Sequence, residues 1–196
     1  MARKQQEKSL QTQRELLESA EKLFAAKGFV ATTVAEITAD AGYAKGNFYR
    51  HWPSKDEIML EIIAGKMQSY RRMRDNALRD AHSLEEVMAH ILDFLEGMID
   101  DRNWSSVFLE FTIHASRTPE LRAQLNQSIY RLSNDIFEDI AGPYVTGSYP
   151  ARKIGALNTA LFEGFLIHSL LGTGTIERAD FRRAAMKLAL ANAGDE

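Results

Sequence analysis

Apolar residues recur along this chain at three- and four-residue intervals. From about Gln11 to Lys27, Leu16, Ala20, Leu23 and Phe24 fall at i, i+4, i+7 and i+8, one stripe of an amphipathic helix. Gly28 follows, where a helix commonly ends in a left-handed residue. Thr33-Val34-Ala35-Glu36 has the form of a capping box and predicts a short second helix, which stops at Gly42. A tight turn leads to a third helix running to Trp52, because Pro53 pushes the residue before it out of the α region. A second capping box, Ser54-Lys55-Asp56-Glu57, opens a long helix to about Arg79 with Met59, Ile62, Ile63, Met67 and Tyr70 on one side. Further helices are predicted at about 84–100, 104–116, 119–141, 150–171 and 177–192, with a loop at 142–150. No segment alternates apolar and polar residues long enough for a strand. The pattern is all-α.

Charge sharpens this picture. The 196 residues carry 24 Lys and Arg against 27 Asp and Glu, a net of −3. That balance excludes a chain that coats nucleic acid by bulk positive charge. There are no cysteines, which excludes disulfides, zinc–thiolate sites and thiol nucleophiles. No uninterrupted apolar run approaches the ~18 residues of a bilayer span. The N-terminus, Met1 to Lys8, is polar and unlike a secretion signal. The expectation is a cytoplasmic protein with no membrane partner and no cofactor.

Residues 33–52 read as helix, glycine turn, helix, the arrangement whose second helix enters the major groove of DNA. Phe48 and Trp52, at i and i+4, define the buried side of that second helix. Gly46 and Arg50 then lie nearly opposite, Asn47 and Tyr49 flank them, and Lys45 and His51 sit at the margins. The free face carries no acid. Arg pairs bidentately with guanine, Asn with adenine, and Lys, Tyr and amides hold phosphates.

The run TVAEITADAGYAKGNFYRHWPSKDEI, residues 33–58, resembles the DNA-binding segment of the tetracycline-repressor (TetR) family. Residues 15–34 resemble that family's first helix and the approach to its second. The resemblance implies an N-terminal three-helix helix-turn-helix domain over 1–56 and a C-terminal helical domain over 57–196 that binds an effector and dimerises. It also implies that Thr32 and Thr33 touch phosphate, that Lys45, Gly46, Asn47, Arg50 and His51 face bases or nearby phosphates, and that Tyr49 and Lys55 grip phosphates. Four positions depart from the family pattern: Thr38, Tyr43, Ala44 and Trp52, with Ala44 standing where a serine cap is usual.

Residues 61–196 hold 15 basic and 19 acidic side chains, which argues against DNA binding there. Their bulky groups are candidates to line an apolar pocket: Met67, Tyr70, Phe94, Trp104, Phe108, Phe111, Tyr130, Phe137 and Phe165, with His90, His114 and His168 as polar fixtures. No two histidines lie at i, i+4, and no metal site is expected. The segment 154–168 is apolar around most of its circumference, with Ala156, Ala160 and Gly164 every fourth residue. It resembles the family's penultimate helix, which with the last helix joins two subunits.

The expected function is a homodimeric regulator, a repressor, on a palindromic operator in double-stranded DNA, controlled by a small apolar effector. Two other classes remain: an architectural DNA-binding protein without effector, and a helical enzyme. The enzyme needs a positioned nucleophile–base pair or a metal set, and the sequence shows neither.

Overall fold

The structure is a computed structural model and describes residues 2–77 and 81–191. Among these residues there is no strand. Ten α-helices follow one another: α1 (Ala2–Lys27), α2 (Val34–Asp40), α3 (Lys45–Tyr49), α4 (Lys55–Ala77), α5 (Leu84–Asp100), α6 (Arg102–Ser116), α7 (Pro119–Leu125), α8 (Leu132–Ala141), α9 (Ala151–Leu171) and α10 (Arg178–Ala191). The predicted helix over 119–141 is broken. A π-helical stretch, Asn126–Arg131, separates α7 from α8, and a short 3-10 turn, Gly142–Tyr144, follows. α1 begins well before Gln11. Its first turns carry no apolar stripe but are rich in good helix formers, and an i, i+4 pair, Arg3 to Glu7 at 3.2 Å, supports them.

The helices form two compact units. The first comprises residues 1–66 together with 106–122, the second 67–105 together with 123–196. The first unit thus contains the start of α4 and most of α6 besides residues 1–56. α4 and α6 each carry the chain from one unit into the other.

The core of the first unit is built from Leu16, Ala20, Phe24, Ile37, Phe48 and Trp52, joined by Ile58, Met59, Phe29 and Phe111, all buried. The apolar spacing read from the sequence is what turns these groups inward. The second unit packs α8 on α9 and α10 on α5 and α9. Phe181 of α10 stacks on Phe165 of α9, with ring centroids 5.2 Å apart, and tilts against Phe162. Gly155 lets α9 meet the ring of Phe137, for a Cβ there would stand 2.7 Å from it. Salt bridges from Arg178 to Asp100 and from Arg182 to Asp93 and Glu96 join α10 to α5. α9 is long and apolar enough to cross a membrane, yet Ile154, Asn158, Phe162, Phe165 and Leu166 are buried within this unit.

Candidate nucleic-acid interface

The two reading helices are set by local chemistry. Thr33 Oγ1 accepts the Glu36 amide at 3.3 Å while the Glu36 carboxylate accepts the Thr33 amide at 2.8 Å, so the capping box is complete. Lys27 adds a salt bridge to Glu36. That ammonium first, and the Thr33 hydroxyl and amide after it, hold the Glu36 carboxyl down at about 2. α2 ends at Asp40 with Ala41 as its C-cap, and the chain turns at Gly42, whose φ of +76° a side chain would resist. Ala44, at the start of α3, offers no side-chain cap. α3 is one short turn, with Arg50 as its C-cap and the Trp52 amide still bonded to Phe48 O at 3.0 Å.

Long-range hydrogen bonds clamp this unit. Ser19 of α1 donates to Ile37 O at 2.9 Å and to Asp40 at 2.8 Å. Three departures from the family pattern are absorbed here. The Tyr43 hydroxyl donates to Glu15, tying the turn to α1 and lowering the Glu15 carboxyl below its usual value. The Trp52 indole donates to Glu61 at 2.5 Å, and Gln13 donates to the same carboxylate at 2.9 Å. Thr38 satisfies its own buried hydroxyl on Val34 O at 3.0 Å. The clamp continues to α6. Glu110 accepts the amides of Phe29 at 2.7 Å and Val30 at 3.0 Å, and His114 meets Asp56 at 2.9 Å.

What remains outside the clamp is the face expected to meet DNA. Lys45, Gly46, Tyr49 and Arg50 are exposed, and Asn47 and His51 partly so. Asn47 and Arg50 make no side-chain bond among the described residues, and Lys45 lies 5.8 Å over the Tyr49 ring. A Cβ on Gly46 would meet nothing within 4 Å. Nothing inside the protein therefore calls for glycine there, although glycine costs a helix ~1 kcal/mol.

Two residues expected at phosphates are engaged within the protein. Lys55 does not stand free to grip a phosphate. Its ammonium donates to Phe29 O at 2.7 Å, Thr32 O at 2.7 Å and Val30 O at 3.2 Å, and lies 4.3 Å over the Phe29 ring. Burial pushes its pKa down, against the pull of Asp56, Glu110 and Glu36. Thr32 is fully buried, its hydroxyl donating to Gly28 O at 2.7 Å. Both shape the turn that presents Thr33, which is exposed at the head of α2.

The groups expected around an apolar pocket are divided between the two units. Phe108, Phe111 and His114 belong to the first unit. Phe111 and His114 pack on Phe29, with ring centroids 4.9 Å and 5.2 Å from it. Their helical spacing was read correctly, but their partner is the reading domain. Met67, His90, Phe94, Trp104, Tyr130, Phe137, Phe165 and His168 lie in the second unit. There the Tyr130 hydroxyl donates to Glu163 at 2.6 Å, and the exposed His168 meets Thr173 at 3.0 Å. The side chain of Tyr70 lies outside the described residues. One polar group of this unit was missed. Asn158 is buried, its amide donates to Ile154 O at 3.0 Å, and its Oδ1 has no partner among the described residues.

A capped short helix, a glycine turn and an exposed acid-free helix on a clamped three-helix unit define a helix-turn-helix protein with an all-helical body. Residues 16–62 match the family described as bacterial regulatory proteins, tetR family. These residues carry a tetR-family DNA-binding segment. The chain is 35% identical to the HTH-type transcriptional repressor KstR2 of Mycobacterium tuberculosis over 85 residues, 43% of this chain and 42% of that one. It is 26% identical to the HTH-type transcriptional regulator BetI of Brucella suis over 180 residues, 90% and 86% of the two chains. The chain spans about two-fifths of the length of KstR2. Its fold is that of the transcriptional regulator FadR of Bacillus subtilis, solved in complex with stearoyl-CoA, with a TM-score of 0.71 over 92% of this chain and 99% of that one at 18% identity.

Proposed function

We propose that this protein is a sequence-specific transcriptional repressor that binds a palindromic operator as a homodimer and is released by a small, largely apolar effector. The carrying observation is the free face of α3, where the Asn47 and Arg50 side chains are unengaged among the described residues, in a unit whose α2 is capped and whose turn and Trp52 are fastened by long-range bonds. Base-reading groups must be positioned before they meet DNA, or binding bears the cost of ordering them. The site of action is the cytoplasm, and no step of catalysis is assigned.

Homodimerisation through α9 and α10 is supported by an apolar strip that the second unit leaves uncovered. Leu157 is 42% exposed, Ile167 47% and Leu171 74%, with Ala160 and Gly164 open between them. Such a strip is an association surface in a soluble chain. The effector reading rests on the aromatic content of the second unit and on Asn158, whose buried, unpaired oxygen calls for a donor. Met67, His90, Phe94, Trp104, Tyr130, Phe137, Phe165 and His168 are the other groups we assign to effector contact there. FadR's stearoyl-CoA supports an acyl or comparably apolar body for the effector. Control would run through α4, which starts beside the reading helix and continues into the second unit. An effector acts only by its preference for one position of that helix.

Selection of bound duplexes from a random pool tests the reading. One palindromic motif with half-sites about one helical turn, ~34–36 Å, or slightly more apart is expected. Broad, sequence-tolerant binding would favour the architectural alternative instead.

A further inference from the structure

The first turns of α1 pack on nothing. Residues 3–11 are all exposed, and the buried stripe of the helix opens at Leu16. At 1.5 Å per residue, α1 carries ~15 Å of helix ahead of its packed part. This end is cationic: Arg3, Lys4 and Lys8 stand against Glu7 alone. Arg3 is paired with Glu7. Lys4 and Lys8 have no partner among the described residues and, at i, i+4, share one face.

That face adjoins the reading helix. Gln5, Gln6, Lys8 and Ser9 of α1 line one open groove of about 560 Å³ with Asn47 and Arg50 of α3. Thr12, whose hydroxyl donates to Lys8 O, and His51 complete the lining; among the described residues none of the other six side chains makes an internal hydrogen bond or ion pair. The groove is therefore a cluster of unengaged amides, hydroxyl and cations, chemistry suited to phosphate oxygens and not to an apolar guest. A duplex that receives α3 in its major groove brings the bordering sugar–phosphate strand to the other wall of the same groove.

We propose, resting on the reading of α3 above, that the N-terminal turns of α1 are a second DNA-contacting element. Lys4 and Lys8 hold phosphates of the strand bordering the groove entered by α3. Gln5, Gln6 and Ser9 close on the same backbone. The element adds affinity and register without reading bases.

The test compares wild type with a Lys4→Ala/Lys8→Ala chain and a charge-keeping Lys4→Arg/Lys8→Arg chain, each checked for unchanged helical circular dichroism. The probes are a duplex selected by the wild type and a random-sequence duplex pool, titrated between about 50 and 200 mM salt. For the alanine chain, the slope of log K against log salt should become shallower by about 3.6, since the dimer loses two lysines per protomer and each phosphate contact contributes about 0.9. Affinity should fall about tenfold on both probes alike, and the arginine chain should keep the wild-type slope. An unchanged slope with affinity within about twofold would overturn the proposal while leaving α3 as the reader. A wild type that binds neither probe would overturn the reading of α3 as well.

Discussion

The carboxylate of Glu110 occupies the space that a side chain at Gly28 would need. A Cβ on Gly28 would stand 2.8 Å from Glu110 Oε2, and the φ of +88° at this glycine is itself closed to most side chains. The same carboxylate takes the next two amides of the chain, Phe29 and Val30. The turn that follows α1 is thus fastened by a residue eighty positions on, and glycine at 28 leaves the carboxylate room to come that close.

Removing either partner should loosen the reading unit. Gly28→Ala combines a strained backbone with a collision, and Glu110→Ala leaves two amides without an acceptor. Each should cost about 1–3 kcal/mol, read as a lowered denaturant midpoint. A Gly28→Ala chain as stable as wild type would mean that α6 does not hold this position in solution.

Gly46 separates stability from binding. Gly46→Ala adds a methyl where the protein offers no neighbour, so the fold should gain up to ~1 kcal/mol from helix propensity. The methyl lies on the face assigned to DNA, so operator affinity should fall. Melting curves and titrations on the same sample decide it. An alanine chain that is both more stable and equally tight would remove α3 from the groove.

Within α3, base and backbone contacts should part. Asn47→Ala or Arg50→Ala should relax base preference by ~1–3 kcal/mol, as the loss of a bidentate pair does. Tyr49→Phe should weaken all duplexes alike. Lys55→Ala should act differently from either: it removes a donor from three carbonyls, so stability falls first. The readout is a competition series of single-base operator variants.

Acid should weaken the reading unit through Glu36. Its folded carboxyl sits at about 2 against an ordinary 4.5, so its stabilising pairing is complete above about 4.5 and is lost as pH falls toward 2. The group is solvent-exposed, which limits the effect. Glu36→Gln should flatten the fall in melting temperature across that window. Identical pH profiles would show that the Lys27 pair contributes nothing.

Asn158 and Gly164 test the second unit. Asn158→Leu replaces an unpaired buried oxygen by carbon, so the fold should hold or gain while effector response is lost. Gly164→Ala finds free space within the chain and should leave the monomer intact, yet weaken association if α9 meets its copy there. Sedimentation of the purified chain reads the second effect.

The helix-turn-helix was legible because it is written locally. The Thr33–Glu36 box, the left-handed Gly42 and the Pro53 stop each act within a few residues, and they place Asn47 and Arg50 on the free side without knowledge of the rest. The carboxylates that clamp the unit were not legible. Glu15, Glu61 and Glu110 look like ordinary polar-face residues, and only their partners at Tyr43, Trp52 and Phe29, far off in sequence, reveal their use. The internal bonds of Lys55, which the family resemblance places at a phosphate, were hidden for the same reason, since its three carbonyl partners lie more than twenty positions away. The π-helical stretch at Asn126–Arg131 misled by phase: wider turns shift the face presented by every later residue, so one apolar period cannot describe 119–141.

The grip of Lys55 on three carbonyls of the α1–α2 turn has a mechanical meaning. The first residue of α4 and the doorstep of α2 are fastened by one charge, so that turn cannot lag behind if α4 is displaced. Any bend that lets the long helix move while the reading head stays seated has to lie beyond Lys55, the rivet of the drive shaft.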